Sequence, residues 1–269
     1  MDTSKNITVR WLNPIGFDAF DAPIGELLAS IKQPGTTVEM VSFADMPNFS
    51  SHLEYRAYEA TVTRGIVECA RDAGQSGVDA MVIGCFYDPA LLDAREMSGG
   101  TVVVAPCEAC LTVASKLANR FSIIVGRQKW IKQMNDLVKD YGMEDRLASF
   151  RTLEMGVDDF QRDHAATRAR IIEEARRAVE EDKAEAIVLG CTIEFGFFEE
   201  VQRAVGVPVI DAVVAAFKQA EHLAQLKRQF GWTPSRRWSC EPPPEEELAK
   251  FGLYQTAPAL NRLNFQASN

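Results

Sequence analysis

The feature of this sequence that most constrains its fold is an internal duplication. The segment VDAMVIGC at residues 78–85 aligns with AEAIVLGC at residues 184–191, so two Gly-Cys pairs stand 106 residues apart. Each copy follows a long charged segment and precedes a second short apolar run at a similar distance. Solenoid repeats have periods of roughly 20–50 residues, which is much shorter. The sequence therefore predicts a duplicated domain with one cysteine at the same place in each copy.

Strand-like and helix-like segments alternate along both halves of the chain. Short apolar runs predict strands at residues 7–12, 37–43, 80–85, 101–105, 121–125, 186–191 and 207–211. Helical spacing of apolar residues predicts helices at 22–31, 55–73, 108–117, 129–141, 164–182 and 212–230. This alternation is typical of βαβ units and of an α/β fold with parallel sheets. We expect residues 1–105 and 212–269 to form the first α/β domain, with a C-terminal helix and tail, and residues 106–211 to form the second.

Length and charge limit the classes of partner. A chain of 269 residues, 46% of them hydrophobic, is long enough to bury a large core without disulfides or a structural metal. Its formal net charge of −9 argues against a nucleic-acid partner, because binding phosphates requires a basic face. No run of about 18 apolar residues predicts a membrane span. Residues 1–5, MDTSK, are not followed by the apolar segment of a signal peptide. We expect a cytoplasmic protein whose six cysteines are thiols.

Cys85 and Cys191 are the candidate catalytic residues, because each ends a predicted buried strand. Ligands of open parallel sheets bind beyond the carboxyl ends of the strands, and the amides of a following helix favour a thiolate or a substrate oxygen there. Two opposed thiols suit one reaction well: one thiolate removes a proton from carbon and the other thiol delivers a proton to the opposite face. That reaction needs no metal, nicotinamide or pyridoxal cofactor. The alternative is two buried structural cysteines, which equivalent positions in a repeat make less attractive.

Several segments together resemble hydantoin racemases. They are WLNP at residues 11–14, VDAMVIGCFYDPAL with ARE at 78–91 and 94–96, VVAPCEA at 103–109, RFSI at 120–123, AEAIVLGC at 184–191 and GVPVID at 206–211. The similarity extends from about residue 7 to 237. It implies the aspartate/glutamate/hydantoin racemase superfamily, with two pseudo-symmetric flavodoxin-like domains, each a parallel sheet flanked by helices, and an active-site cleft between them.

The same resemblance implies roles for individual residues. Cys85 and Cys191 would be the acid–base pair of a cofactor-independent enzyme. The residues expected to line the pocket around the substrate are Asn13, Phe86, Glu108 and Thr192. The partner would be a small-molecule substrate, and related proteins are often dimers or higher assemblies, so a homo-oligomer is expected.

Two segments depart from the hydantoin racemase pattern. The run TIEFGF at residues 192–197 replaces the usual small residues and methionine, and its Gly-Cys-Thr start is closer to amino-acid racemases, maleate isomerases and arylmalonate decarboxylases. After Pro14, the run IGFD replaces an Asn-Thr pair. These differences leave the substrate contacts open.

Three hypotheses follow. The leading one is a racemase or epimerase of a small cyclic imide or amino-acid derivative, most like a 5-substituted hydantoin. The second is an isomerase, decarboxylase or hydrolase of the same superfamily that uses one cysteine as a covalent nucleophile. The third, from a different class, is a two-domain protein that binds a small ligand without chemistry.

Other candidates have simpler interpretations. Cys107 and Cys110 have C-x-x-C spacing, but zinc would need two further ligands and the three histidines are scattered, so we expect a structural or pocket-lining role. Cys69 is predicted to lie in the core. Asp211 is predicted either to face a ligand or to cap a helix. The tail from Trp232 is predicted to be a surface segment containing a helix that starts after prolines 242–244, while a lid or a subunit-contact arm is the alternative.

Overall fold

The computed structural model describes residues 6–44 and 51–266, and strands and helices alternate through these ranges. The strands are β1 Ile7–Asn13, β2 Thr36–Phe43, β3 Ala80–Ile83, β4 Val102–Val104, β5 Phe121–Val125, β6 Leu147–Thr152, β7 Ala186–Leu189, β8 Val209–Ile210 and β9 Leu260–Phe265. The helices are α1 Asp21–Ile31, α2 Arg56–Gln75, α3 Leu91–Met97, α4 Pro106–Leu117, α5 Gln128–Asp140, α6 His164–Glu180, α7 Phe198–Val205, α8 Ala212–Phe230 and α9 Glu245–Phe251. Residues 1–5, from which the absence of a signal peptide was inferred, lie outside the described residues.

The strands form two sheets with the same topology. The first has the order β4-β3-β1-β2-β9 and the second has the order β6-β5-β7-β8. Read in reverse, the second order is β8-β7-β5-β6, which matches β4-β3-β1-β2 of the first sheet. Within these eight strands all pairings are parallel, and β9 is an added antiparallel strand beside β2. The order 2-1-3-4 is that of flavodoxin-like folds. The predicted α/β class and the predicted duplication are therefore confirmed.

The chain divides into two compact units. The first comprises Met1–Gly84, Pro89–Val104 and Phe217–Asn269, and the second comprises Cys85–Asp88 and Ala105–Ala216. In each unit the central strands are apolar and fully buried, as β3 and β7 show, because helices cover both faces of a parallel sheet. No helix within residues 6–44 and 51–266 combines the length and apolar character that crossing a membrane requires.

The tail belongs to the first unit and contributes to its sheet. Helix α9 begins directly after Pro244, as predicted, and its Leu248 is buried against Val67 and Met97. The strand β9 was not predicted. Its Phe265 ring lies so close to Gly25 that a Cβ there would be 2.3 Å from the ring. The tail is thus integrated into the first unit through a buried leucine, a strand and an aromatic ring.

Candidate active site

A glycine precedes each candidate cysteine. Both positions require glycine, because the neighbouring strand approaches too closely for a side chain. The amide of Gly84 donates to the carbonyl of Leu12 at 2.7 Å, and that of Gly190 donates to the carbonyl of Ile124 at 2.8 Å. A Cβ on Gly84 would lie 2.7 Å from the Leu12 oxygen and 2.5 Å from the indole nitrogen of Trp11. A Cβ on Gly190 would lie 2.6 Å from the Ile124 oxygen. The Gly-Cys pairs therefore have the same local packing in the two copies.

Cys85 and Cys191 are partly exposed, unlike the three cysteines of α2 and α4, and Cys240 in the tail is exposed. All six cysteines lie in the described ranges and none forms a disulfide. Cys69, Cys107 and Cys110 are buried. Burial raises the pKa of Cys69 to about 11, and it raises the pKa values of Cys107 and Cys110 well above the usual range. These three thiols stay neutral and are poor nucleophiles, which agrees with the core role predicted for Cys69.

Asp88 anchors the turn that carries Cys85. Its backbone amide donates to the Cys85 carbonyl at 3.0 Å, and its φ of 47° is in the left-handed region. Its carboxylate accepts hydrogen bonds from the amide of Cys107 at 2.8 Å, the amide of Glu108 at 2.9 Å and the hydroxyl of Tyr141 at 2.8 Å. Burial raises the pKa of Asp88 to about 7, against the opposing effect of these donors. The turn is thereby tied to the start of α4 and the end of α5.

Asp211 makes a comparable link behind Cys191. One carboxylate oxygen accepts from the amides of Val213 at 2.8 Å and Val214 at 3.1 Å, so Asp211 caps α8, which is one of its two predicted roles. The other oxygen accepts from the amide of Gly196 at 3.1 Å, in the segment that follows Cys191. Burial raises the pKa of Asp211.

Glu194 is a buried acid beside the second cysteine. It ends the short 3-10 helix Thr192–Glu194 and is fully buried, and neither carboxyl oxygen accepts a hydrogen bond of good geometry. Burial, reinforced by the charge of Asp211, raises its pKa well above the usual range, while the nearby amides of Gly190 and Cys191 have smaller opposing effects. We take Glu194 to be protonated at neutral pH, because an isolated carboxylate is very unfavourable in such a place.

The predicted pocket residues are divided between the two units. Phe86 and Thr192 are buried in the second unit, and Glu108 lies in the first turn of α4 in the same unit, which also contains both cysteines. Asn13 ends β1 in the first unit, where its side-chain amide donates to Asp21 at 3.0 Å. Contact between these four residues and a substrate stays a prediction.

The C-x-x-C pair lies in the first two turns of α4, and both thiols are fully buried, as the structural interpretation expects. In residues 6–44 and 51–266 no three His, Cys, Asp or Glu side chains come together as a metal site would require. Sequence reasoning missed Asp88, Tyr141 and Glu194 as neighbours of the cysteines. A signal for two of them exists, since Asp88 and Glu194 each follow the candidate cysteine by three residues and are also 106 residues apart.

Comparison with known proteins decides the family. The sequence model of the Asp/Glu/Hydantoin racemase family matches residues 19–220. The chain belongs to this family. It is therefore an enzyme of the racemase and isomerase type, which removes the hypothesis of a binding protein without chemistry.

Individual relatives cover most of this racemase-family chain. A hydantoin racemase of Pseudomonas sp. (strain NS671) is 39% identical over 192 residues, which are 71% of this chain and 77% of the relative. A hydantoin racemase of Rhizobium meliloti is 35% identical over 215 residues, 80% of this chain and 88% of the relative. The structure of an allantoin racemase from Klebsiella pneumoniae superimposes with a TM-score of 0.79 at 29% identity, and the match covers 89% of this chain and 95% of that one.

Proposed function

We propose that this enzyme racemises 5-substituted hydantoins or closely related cyclic ureides without a cofactor, using Cys85 and Cys191 as its two acid–base groups. One observation carries the proposal. The two cysteines occupy equivalent positions of a duplicated fold, each after a closely packed glycine, and both are partly exposed while Cys69, Cys107 and Cys110 are buried. Two structural cysteines have no reason to share these three properties.

The reaction that these residues support is a two-step proton transfer. For one enantiomer, the thiolate of one cysteine removes the proton from C5, and the electron pair passes to the adjacent carbonyl to form an enolate. The thiol of the other cysteine then protonates C5 on the opposite face, and the two sulfurs end with exchanged protonation states. Backbone amides that follow the cysteines would stabilise the enolate oxygen. The opposite enantiomer reacts with the roles of the cysteines reversed.

The substrate class rests on the relatives. Two sequence relatives carry the name hydantoin racemase and a structural relative carries the name allantoin racemase, and allantoin is itself a 5-substituted hydantoin. All such rings present an acidic C–H next to a carbonyl, which is the proton that a thiolate can remove. We propose Asn13, Phe86, Glu108 and Thr192 as the residues that contact this ring. Homo-oligomerisation and a cytoplasmic location also stay predictions.

Polarimetry of enantiopure substrates tests the proposal. A panel of 5-substituted hydantoins, allantoin, aspartate and glutamate would be incubated with wild type, Cys85→Ala, Cys191→Ala and the control Cys107→Ala, and maleate isomerisation would be followed by absorbance. We expect optical rotation to decay to zero for hydantoins with wild type and Cys107→Ala but not with the other two variants. Racemisation by either active-site variant would refute the two-cysteine mechanism. A stable adduct on one cysteine would instead favour the covalent alternative.

A further inference from the structure

The repeat of 106 residues relates more than the two cysteines. It also relates Cys107 and Glu108 to Val213 and Val214, which occupy the second and third positions of α4 and α8. These amides have no partner within their own helices, so a cap from outside must satisfy them. In both copies a buried aspartate does so, and in both copies that aspartate also connects to the turn that follows the candidate cysteine.

The geometry points to Asp88 and Asp211 as positioning residues, each of which holds one cysteine-bearing turn against the start of the next helix. This inference deepens the proposed function, since the turns matter for turnover only if Cys85 and Cys191 do the chemistry. The two aspartates themselves would not touch the substrate.

In the first copy the carboxylate comes from the cysteine turn. Asp88 is three residues after Cys85, and its two oxygens reach across to the amides of Cys107 and Glu108 at 2.8 and 2.9 Å. The N-cap residue of α4 is Ala105, which has no side chain that could cap the helix. The turn thus supplies the cap that the helix lacks, and its left-handed backbone at Asp88 is held by that contact.

In the second copy the carboxylate comes from the helix side. Asp211 stands 106 residues after Ala105 and caps α8 itself, using one oxygen for both helix amides. Its other oxygen accepts from Gly196 in the turn that follows Cys191. The position equivalent to Asp88 is Glu194, whose carboxyl oxygens are buried and accept no hydrogen bond of good geometry, while the amides of α8 are capped by Asp211. The same link is therefore made from opposite sides in the two copies.

The hydrogen bonds of Asp88 and of Asp211 can each be weakened by a separate substitution. Asn fits the left-handed backbone of position 88, but its NH2 group cannot accept, so Asp88→Asn leaves at least one amide of α4 without an acceptor. In Asp211→Asn the carbonyl oxygen still caps α8, since Asn is a good N-cap, while the NH2 group faces the Gly196 amide. Each variant loosens one cysteine turn and preserves the size of the side chain.

Site-resolved alkylation tests the inference without depending on turnover. Wild type, Asp88→Asn, Asp211→Asn and the control Asp163→Asn would be treated with iodoacetamide, and the modified peptides would be quantified by mass spectrometry over time. Asp163 is a suitable control because it caps α6 through the amide of Ala166 at 3.0 Å and is exposed. The fully buried Cys69, Cys107 and Cys110 report global unfolding in the same samples.

We expect a crossed pattern of labelling. Asp88→Asn should accelerate alkylation of Cys85 about tenfold and leave Cys191 unchanged, because the loss of one buried hydrogen bond lets the turn open more often. Asp211→Asn should accelerate alkylation of Cys191 and leave that of Cys85 unchanged. Asp163→Asn should change neither rate. With a hydantoin substrate, the first two variants should lower kcat about tenfold with little change in KM, because a displaced thiol slows proton transfer more than binding.

The inference is overturned if the two cysteines are accelerated alike in either variant, or if neither changes. Labelling of the three buried thiols in step with Cys85 would likewise overturn it, since that pattern means general loosening of the fold. If Asp88→Asn does not fold, Tyr141→Phe removes a single donor from the same carboxylate, and a smaller acceleration confined to Cys85 is expected. If the variants show the crossed labelling pattern but wild type racemises no hydantoin, the proposed function is refuted and the positioning role is not.

Discussion

Substitution of Gly190 by alanine tests the packing that places Cys191. The added Cβ would lie 2.6 Å from the carbonyl oxygen of Ile124, 2.9 Å from the side chain of Ile123 and 3.1 Å from that of Val125. The nearest of these atoms is backbone of the neighbouring strand β5, so β7 and β5 must move apart. That movement also weakens the 2.8 Å hydrogen bond from Gly190 to Ile124.

The expected cost follows from these contacts. Overpacking costs about 1–3 kcal/mol and a weakened backbone hydrogen bond costs about 1 kcal/mol more, so Gly190→Ala should reduce the free energy of unfolding by about 2–4 kcal/mol. For a chain of this size that corresponds to a fall in Tm of roughly 4–7 °C. Racemisation should fall as well, because the displaced strand end carries Cys191.

Thermal unfolding of matched variants measures this cost. Gly84→Ala should behave like Gly190→Ala, since its Cβ would meet the Leu12 oxygen at 2.7 Å. Gly100→Ala is the control, because a Cβ at Gly100 would have no neighbour within 4 Å. A Tm of Gly190→Ala equal to that of the Gly100→Ala control would refute the argument from close packing.

Three further predictions concern individual side chains. Glu194→Gln should change the free energy of unfolding by less than about 1 kcal/mol in denaturant titrations at pH 7, because the side chain is already neutral and Gln has its shape; a large loss would mean that Glu194 is charged. Burial raises the pKa of Asp88 from 3.8 to about 7, so its stabilising contribution is complete below about pH 4 and is lost as the pH rises through 7. The stability of wild type relative to Asp88→Asn should therefore decline between pH 4 and 7.5, and a Tm difference independent of pH would contradict this. Phe265→Ala should reduce the free energy of unfolding by about 2 kcal/mol, because the ring packs on Gly25 of α1, and unchanged urea unfolding would show that this contact of β9 adds no stability.

The sequence predicts the parts of the fold that have strong local patterns. Residues 121–125 and 212–230 form β5 and α8 with the predicted bounds, because their apolar spacing is uninterrupted. The duplicated strands 80–85 and 186–191 are also found, although they end at Ile83 and Leu189. The family and the racemase type follow from the motifs around Cys85 and Cys191, and the comparisons confirm both.

Besides the short helices α3 and α7, the missed elements are two strands with weak local patterns. The strand β6, with the sequence LASFRT, is partly exposed along its whole length and lacks a continuous apolar run. The strand β9, LNRLNF, depends on pairing with β2, more than 200 residues away in sequence. The links of Asp88 to α4 and Tyr141 are missed for the same reason, because their partners are 19 to 53 residues distant. Tertiary contacts of this kind override local propensity.

The most direct test of the central claim is deuterium exchange at C5 with each enantiomer of a 5-substituted hydantoin separately, followed by proton NMR in D2O. Wild type, Cys85→Ser, Cys191→Ser and the double variant would be compared, with the double variant giving the uncatalysed background. The two-cysteine account predicts that each single variant exchanges only one enantiomer, without inverting it, and that the two variants exchange opposite enantiomers. Exchange of both enantiomers by one single variant and of neither by the other would show a single catalytic cysteine and would contradict the account.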